Sequence, residues 1–285
     1  MDCSSFVAEI DGLFVSDLAE GRPKDARFAA IAEDVAGFCT PAELAVVNAA
    51  ARSLPEGEAY LEVGTFKGRS ICAAALDAPG RRLYAVENFQ EFGMLSDSAR
   101  DELQANLRRH TSGASLRLLE GDCFRLLAHR DAIAEPVGVY FYDGAHTWLS
   151  HYLALGVVEP LLADEALVLV DDASWPVVQR ATRAYVARHQ GWEVLRDIRA
   201  EHDHDPRWAN GLMVLRWARP AGKRSGRRMS WDVRVLRVVQ TQVVGRWEAL
   251  AWRALHRFRW LVPVARRLVP KRSRTVPERP RIGTR

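Results

Sequence analysis

Over residues 58–218, short apolar runs alternate with longer stretches whose apolar positions recur at helical spacing. The runs at Tyr60–Val63, Arg82–Val86, Leu116–Leu119, Val137–Tyr142 and Ala166–Val170 predict strands. The fourth and fifth lack polar alternation, the pattern of strands buried on both faces. Helices are predicted between them at Arg69–Leu76, Asp97–Arg109 and Thr147–Leu162, and from Pro176 to Gln190. Trp192–Leu195 and Gly211–Trp217 read as two closing strands joined by a loop. This order predicts an α/β fold with a doubly wound, mostly parallel sheet whose last strand is antiparallel. Residues 1–57 read as a helical preface. In it, Thr40-Pro41-Ala42-Glu43 has the cap, proline and acid of a helix start, and Pro55-Glu56-Gly57 marks the stop. This helix is expected to cover the sheet and wall the ligand site.

The chain's central stretch is Tyr60–Ser70, YLEVGTFKGRS: strand, glycine turn, helix. Gly64 and Gly68 let backbone approach a ligand closely. The spacing is not that of a phosphate-gripping P-loop, nor the G-x-G-x-x-G of a dinucleotide site. Glu62, just before the first glycine, suits a cationic ligand better than a pyrophosphate. Glu87 closes the second strand, where an acid is placed to bind two ribose hydroxyls.

E-V-G-x-x-x-G with an acid ending the second strand resembles the class I S-adenosylmethionine-dependent methyltransferases. The resemblance implies a seven-stranded, Rossmann-like sheet that binds S-adenosylmethionine. It implies cofactor contacts at Glu62, Gly64, Thr65, Gly68, Ser70 and Glu87, with Asp143 at the edge of the site. Asp122, after the third strand, falls where that family meets the adenine; the alternative is an ordinary loop-capping Asp.

A second constellation follows the fourth and fifth strands, which end in Asp143-Gly144-Ala145-His146 and Asp171-Asp172. If these strands are neighbours, their terminal carboxylates converge and repel one another unless a cation is present. Oxygen ligands favour Mg²⁺, Mn²⁺ or Ca²⁺, and Mg²⁺ is the expected ion. A divalent cation would lower the pKa of an acceptor hydroxyl, and His146 is the candidate general base from its proximity to Asp143. Helix capping is the bland alternative for the acids. D-G-A-H followed by D-D also resembles a bacterial group of metal-dependent, macrocin O-methyltransferase-like sugar enzymes. By that resemblance Asp143, Asp171 and Asp172 fall on the metal positions. The second Asp of that group's D-G-D, its proposed base, is here Ala145. The implied activity is metal-assisted O-methylation of a hydroxyl on a sugar, glycolipid or glycosylated small molecule. The alternatives are a catechol-like acceptor, a hydroxylase, or a membrane-associated binding protein that keeps the fold. Glu201–Trp208 is expected to be a polar connection; its other readings are a second metal site or a lid from which Trp208 stacks on a sugar.

Composition changes this picture in one place. At 48% hydrophobic the chain can bury a core, which excludes disorder throughout. Cys3, Cys39, Cys72 and Cys123 form no C-x-x-C pair, so spacing suggests neither a zinc site nor a disulfide framework, and a reducing cytoplasm fits. No signal peptide and no membrane-spanning run is evident. The net charge of +4, however, hides two unlike parts. Residues 219–285 carry 19 Lys and Arg against 3 Asp and Glu, leaving 21 basic and 33 acidic residues before them. Lys223–Arg228 reads as a linker, 231–268 as amphipathic helices, and 271–285 as a disordered basic end. In the helical part, Trp247, Leu250, Ala251, Ala254, Leu255 and Phe258 recur among arginines. An anionic membrane surface suits this extension, over 223–285, as does packing on the acidic body or on a second copy in a homo-oligomer. Nucleic acid is disfavoured, since no recognised binding module is present.

Overall fold

A computed structural model describes residues 1–89, 98–222, 229–247 and 250. The chain divides into two units, 1–243 and 244–285. Nearly all of the second, together with the linker 223–228, lies outside the described residues, so the expectations for the basic tail beyond residue 250 fall there too.

The preface forms α1 (Cys3–Ile10), α2 (Arg27–Asp34) and α3 (Pro41–Arg52). The start of α3 is the capping box that the sequence predicts: Thr40 accepts from the Glu43 N–H, and Glu43 Oε2 accepts from the Thr40 N–H at 2.7 Å. Then come β1 (Ala59–Val63), α4 (Arg69–Ala75), β2 (Arg82–Glu87), α5 (Ala99–His110) and β3 (Ser115–Glu120). They are followed by α6 (Cys123–Leu126), β4 (Val137–Tyr142), α7 (Trp148–Val158), β5 (Leu162–Val170), α8 (Pro176–Arg188), β6 (Trp192–Ile198), β7 (Leu212–Ala218) and α9 (Trp231–Val239).

The seven strands make one sheet in the order β3-β2-β1-β4-β5-β7-β6. β7 inserts between β5 and β6 and runs antiparallel to both, while the remaining pairs are parallel. Strand order reverses between β1 and β4, so their C-terminal ends flank the crevice where ligands bind in such sheets. β1 and β4 are buried along their whole length, as apolar strands covered on both faces must be. One face packs α1–α4 against Tyr60, Val139, Phe141 and Leu169; the other packs α6–α8 and Val233 of α9 against Leu61, Tyr140, Tyr142 and Val168.

Two parts differ from the expectation. The helix after β4 ends at Val158 in a 3-10 turn whose Pro160 has no N–H to continue it, and β5 begins at Leu162, with a shift in the β4–β5 register between Val137 and Val139. Trp208 is buried against Phe14 and donates its indole N–H to the Leu18 carbonyl at 2.8 Å, so it is preface core and does not stack on a ligand.

Candidate active site

The site is built at the C-terminal ends of β1, β2, β4 and β5. Between β1 and α4, Gly64 and Gly68 take φ of +91° and +90°, the left-handed region that glycine enters without strain. A Cβ on Gly64 would collide with the backbone carbonyl of Asp143, so the glycine turn is seated directly on the end of β4. Thr65 and Ser70 are buried in this turn. Glu62, fully buried, accepts from the Tyr60 and Ser70 hydroxyls, each at 2.9 Å. Burial raises its carboxyl to about 7, against those hydrogen bonds. Glu87 Oε2 accepts from the Phe66 N–H at 2.7 Å, and its Oε1 accepts from the Asn88 and Phe89 N–H groups. The acid ending β2 thus ties the glycine turn to the next loop. Asp122 caps α6 by accepting from the Phe124 N–H at 2.9 Å, while also closing the loop after β3.

β4 and β5 are neighbours, as the sequence argument requires. The Asp143 N–H donates to the Val63 carbonyl and the Asp171 N–H to the Tyr142 carbonyl, which fixes where the two side chains leave the sheet. The acids do not form one trio. Asp143 belongs to two groups whose potential ligand atoms lie within 4.8 Å of one another: Asp143 with His146 and Asp172, and Asp143 with Cys39 and Asp171. Asp172, at a left-handed φ of +56°, joins the first group and Asp171 the second. Asp172 Oδ2 lies 2.5 Å from His146 Nε2, and its Oδ1 accepts from Asn210 at 2.6 Å. Asp143 Oδ1 is 3.6 Å from the same His146 nitrogen.

The electrostatics are those of a site short of positive charge. Burial, reinforced by Glu43, Asp143 and Asp172, pushes the Asp171 carboxyl well up, and its Oδ1 is buried with no hydrogen-bond partner. Burial raises Asp143 to about 6 and Glu43, whose Oε1 is likewise unpartnered, to about 8. Burial alone would lower His146; the carboxylates of Asp143 and Asp172 beside it overcome this and raise the imidazole to about 10. Burial holds neighbouring His151 neutral, down to about 3. The donor set of carboxylates around an orphaned oxygen fits a divalent cation.

Cys39, Glu43, His151 and Asn210 were not legible as site residues. Cys39 arrives because Arg69, at the start of α4, donates to the carbonyls of Ala32, Val35 and Cys39 at 2.6–2.9 Å and holds the preface against the site. Asn210 arrives from the loop before β7. By contrast His202 and His204 join no ligand group among the described residues. Asp205 there pairs with Arg207 at 2.8 Å, so the Glu201–Trp208 loop is a polar connection.

Residues 61–173 match a family described as "Methyltransferase domain". No curated protein matches the chain. Among solved structures, the chain is similar to the O-methyltransferase TomG from Streptomyces achromogenes, involved in tomaymycin synthesis and solved with S-adenosylmethionine. That likeness has a TM-score of 0.52 and 18% identity, over 77% of this chain and 100% of the other. An O-methyltransferase from Bacillus cereus, solved with S-adenosylhomocysteine, gives a TM-score of 0.50 and 13% identity over 75% and 97%. At such identities the likeness carries the fold alone. Residues 61–173 thus carry a match to a methyltransferase domain, and the seven-stranded sheet around them shares its fold with these O-methyltransferases.

Proposed function

We propose that the chain is an O-methyltransferase assisted by a divalent cation, acting on an acceptor with two adjacent oxygens, a sugar or a glycosylated small molecule before a catechol. The observation that carries this reading is the double role of Asp143. Its backbone carbonyl seats the glycine turn of the cofactor side, and its carboxylate belongs to both acid groups. Methyl donor and acceptor hydroxyl would therefore meet at this residue, the proximity that a displacement at a sulfonium methyl requires.

Glu62, Gly64, Thr65, Gly68, Ser70 and Glu87 would hold the S-adenosylmethionine, and Glu87 would take the ribose hydroxyls. Asp122 would lie toward the adenine. Asp143 would hold the cation, Mg²⁺ in the simplest case, together with Asp171 in one ligand group or Asp172 in the other. When bound, the cation lowers the acceptor hydroxyl's pKa and orients it. His146 is the group within reach to take the acceptor proton. Its two carboxylate neighbours keep it protonated for as long as their charge is not balanced elsewhere, so it is a base only in the loaded site.

Calorimetric titration of S-adenosylmethionine tests the reading, with Mg²⁺ and with EDTA, on the wild type and on Glu87→Ala. Binding is expected in both buffers for the wild type. Glu87→Ala should lose at least about tenfold, the cost of roughly one charge-assisted hydrogen bond or more. No binding to wild type in either buffer would sink the reading.

A second reading concerns the basic extension. Trp231, Val235, Val238 and Val239 of α9 are exposed on one stripe, while Val233 packs against Gly156. An exposed apolar stripe at the start of a strongly basic segment suits an anionic membrane surface. No helix among the described residues is long and apolar enough to cross a membrane. Cosedimentation with phosphatidylserine vesicles should be lost in Trp231→Asp. Retention on purely zwitterionic vesicles would argue against the electrostatic part.

A further inference from the structure

The second ligand group, Cys39 with Asp143 and Asp171, has no counterpart in the acid-only site drawn from the sequence. The three residues come from the preface and two strand ends, and their ligand atoms lie within 4.8 Å of one another. Cys39 is buried and free of disulfide. Asp171 is 5% exposed, and its Oδ1 is buried with no partner. A buried carboxylate oxygen left unpaired is costly unless something fills the position beside it. Besides the carboxylates, the ligand atom within 4.8 Å in this group is the Cys39 sulfur. Arg69 fixes it there through the Cys39 carbonyl at 2.9 Å. A backbone anchor of that kind positions the side chain whether or not a cation is present.

We propose that Cys39 Sγ is a cation ligand, and that with Asp143 and Asp171 it makes this site select a borderline transition-metal ion such as Zn²⁺ or Co²⁺ over Mg²⁺. The inference rests on the cation-assisted reading above and narrows it. Mg²⁺ takes oxygen ligands in near-octahedral order and gains little from a thiolate. Zn²⁺ and Co²⁺ bind sulfur well, and a mixed sulfur and oxygen set favours them. Coordination forms a metal–sulfur bond and breaks the S–H bond, the proton leaving to solvent; no electron is transferred. Cys3, Cys72 and Cys123 belong to no ligand group among the described residues, so a sulfur signal can be assigned.

The test is optical titration of the full chain with Co²⁺, which reports sulfur ligation through a thiolate-to-cobalt charge-transfer band in the near ultraviolet. Wild type is expected to develop this band to saturation at one equivalent. Zn²⁺ should displace it, and Mg²⁺ should fail to do so at about 10²-fold higher concentration. Cys39→Ser and Cys39→Ala should lose the band and bind Co²⁺ at least about tenfold more weakly, while circular dichroism and S-adenosylmethionine affinity stay as in wild type. Asp171→Asn should weaken the band from the other side of the site. Co²⁺ binding to wild type without the band, or a band that persists in Cys39→Ser, overturns the role of Cys39 and leaves the cation-assisted reading standing. No Co²⁺ binding at all overturns both, while S-adenosylmethionine calorimetry still reports on the methyltransferase itself.

Discussion

The two ends of the crevice contain the same kind of residue in opposite conditions. At β1 and β2, Glu62 and Glu87 are buried and their oxygens accept from hydroxyls and backbone N–H groups. At β4 and β5, Asp171 and Glu43 are buried with an oxygen unpartnered, and Asp143 adds a like charge nearby. Buried carboxylates that are fully hydrogen-bonded act as finished structure, able to orient a polar ligand. Buried carboxylates that lack donors act as a site waiting for positive charge. The first end therefore reads as a cradle and the second as a cation site.

The largest break in this comparison should come from Asp171→Asn. At the second end it removes a charge the fold pays to bury, so stability and activity should move in opposite directions. Methyl transfer should fall by about 10²-fold or more, as when an electrostatic group is deleted from an active site. In EDTA at pH 8 the melting temperature should rise by a few degrees, since a like-charge contact is gone. A variant that loses activity and stability together would show that Asp171 is structural. Initial rates and calorimetric melts on the same preparations decide it.

The pH dependence of stability distinguishes the ends next. Folded Glu62 and Glu43 titrate at about 7 and about 8, against an ordinary 4.5 in the unfolded chain. Between those values the folded chain holds more protons, so stability must fall as pH rises from about 4.5 to about 8. Glu62 alone accounts for roughly 3 kcal/mol of that fall. His146 acts in the same direction: with 6.5 raised to about 10, its stabilisation is complete below 6.5 and lost toward 10. Saturating Mn²⁺ should flatten the part that comes from the β4–β5 end and leave the Glu62 part. Thermal melts from pH 5 to pH 8, with Mn²⁺ and with EDTA, separate the two. A slope that Mn²⁺ does not touch would mean that the acid groups hold no cation.

What the sequence made legible follows the same division. The cradle is local: strand, glycine turn, helix and closing acid lie within Tyr60–Glu87, and the capping box of α3 is a four-residue pattern. Strand-end acids are also local signals, whereas the neighbouring of β4 and β5, on which their convergence depends, is supplied by the fold. The remainder of the second end is not local. Cys39 is delivered by three hydrogen bonds from Arg69, and Asn210 by a loop that folds back before β7. The positive φ of Asp172 leaves no trace in residue type. The burial of Trp208 is hidden for a related reason: a tryptophan in a polar loop looks exposed until the preface is known to cover it.

The smallest effect is also the sharpest check, because it should turn part of the first end into a copy of the second. Tyr60→Phe removes one of the hydroxyls that donate to Glu62 and leaves the side chain's volume nearly unchanged. An oxygen of Glu62 then loses its donor in a fully buried setting, at a cost of about 1–3 kcal/mol when the carboxylate is charged. The cost should be small at pH 5, where Glu62 is protonated, and should grow toward pH 8, so the melting-temperature difference from wild type widens with pH. Mn²⁺ should not close that gap, since Ser70 remains as a donor and Glu62 joins no ligand group among the described residues. If Mn²⁺ does close it, the cation reaches the cradle, and the two ends are one electrostatic site joined through Asp143.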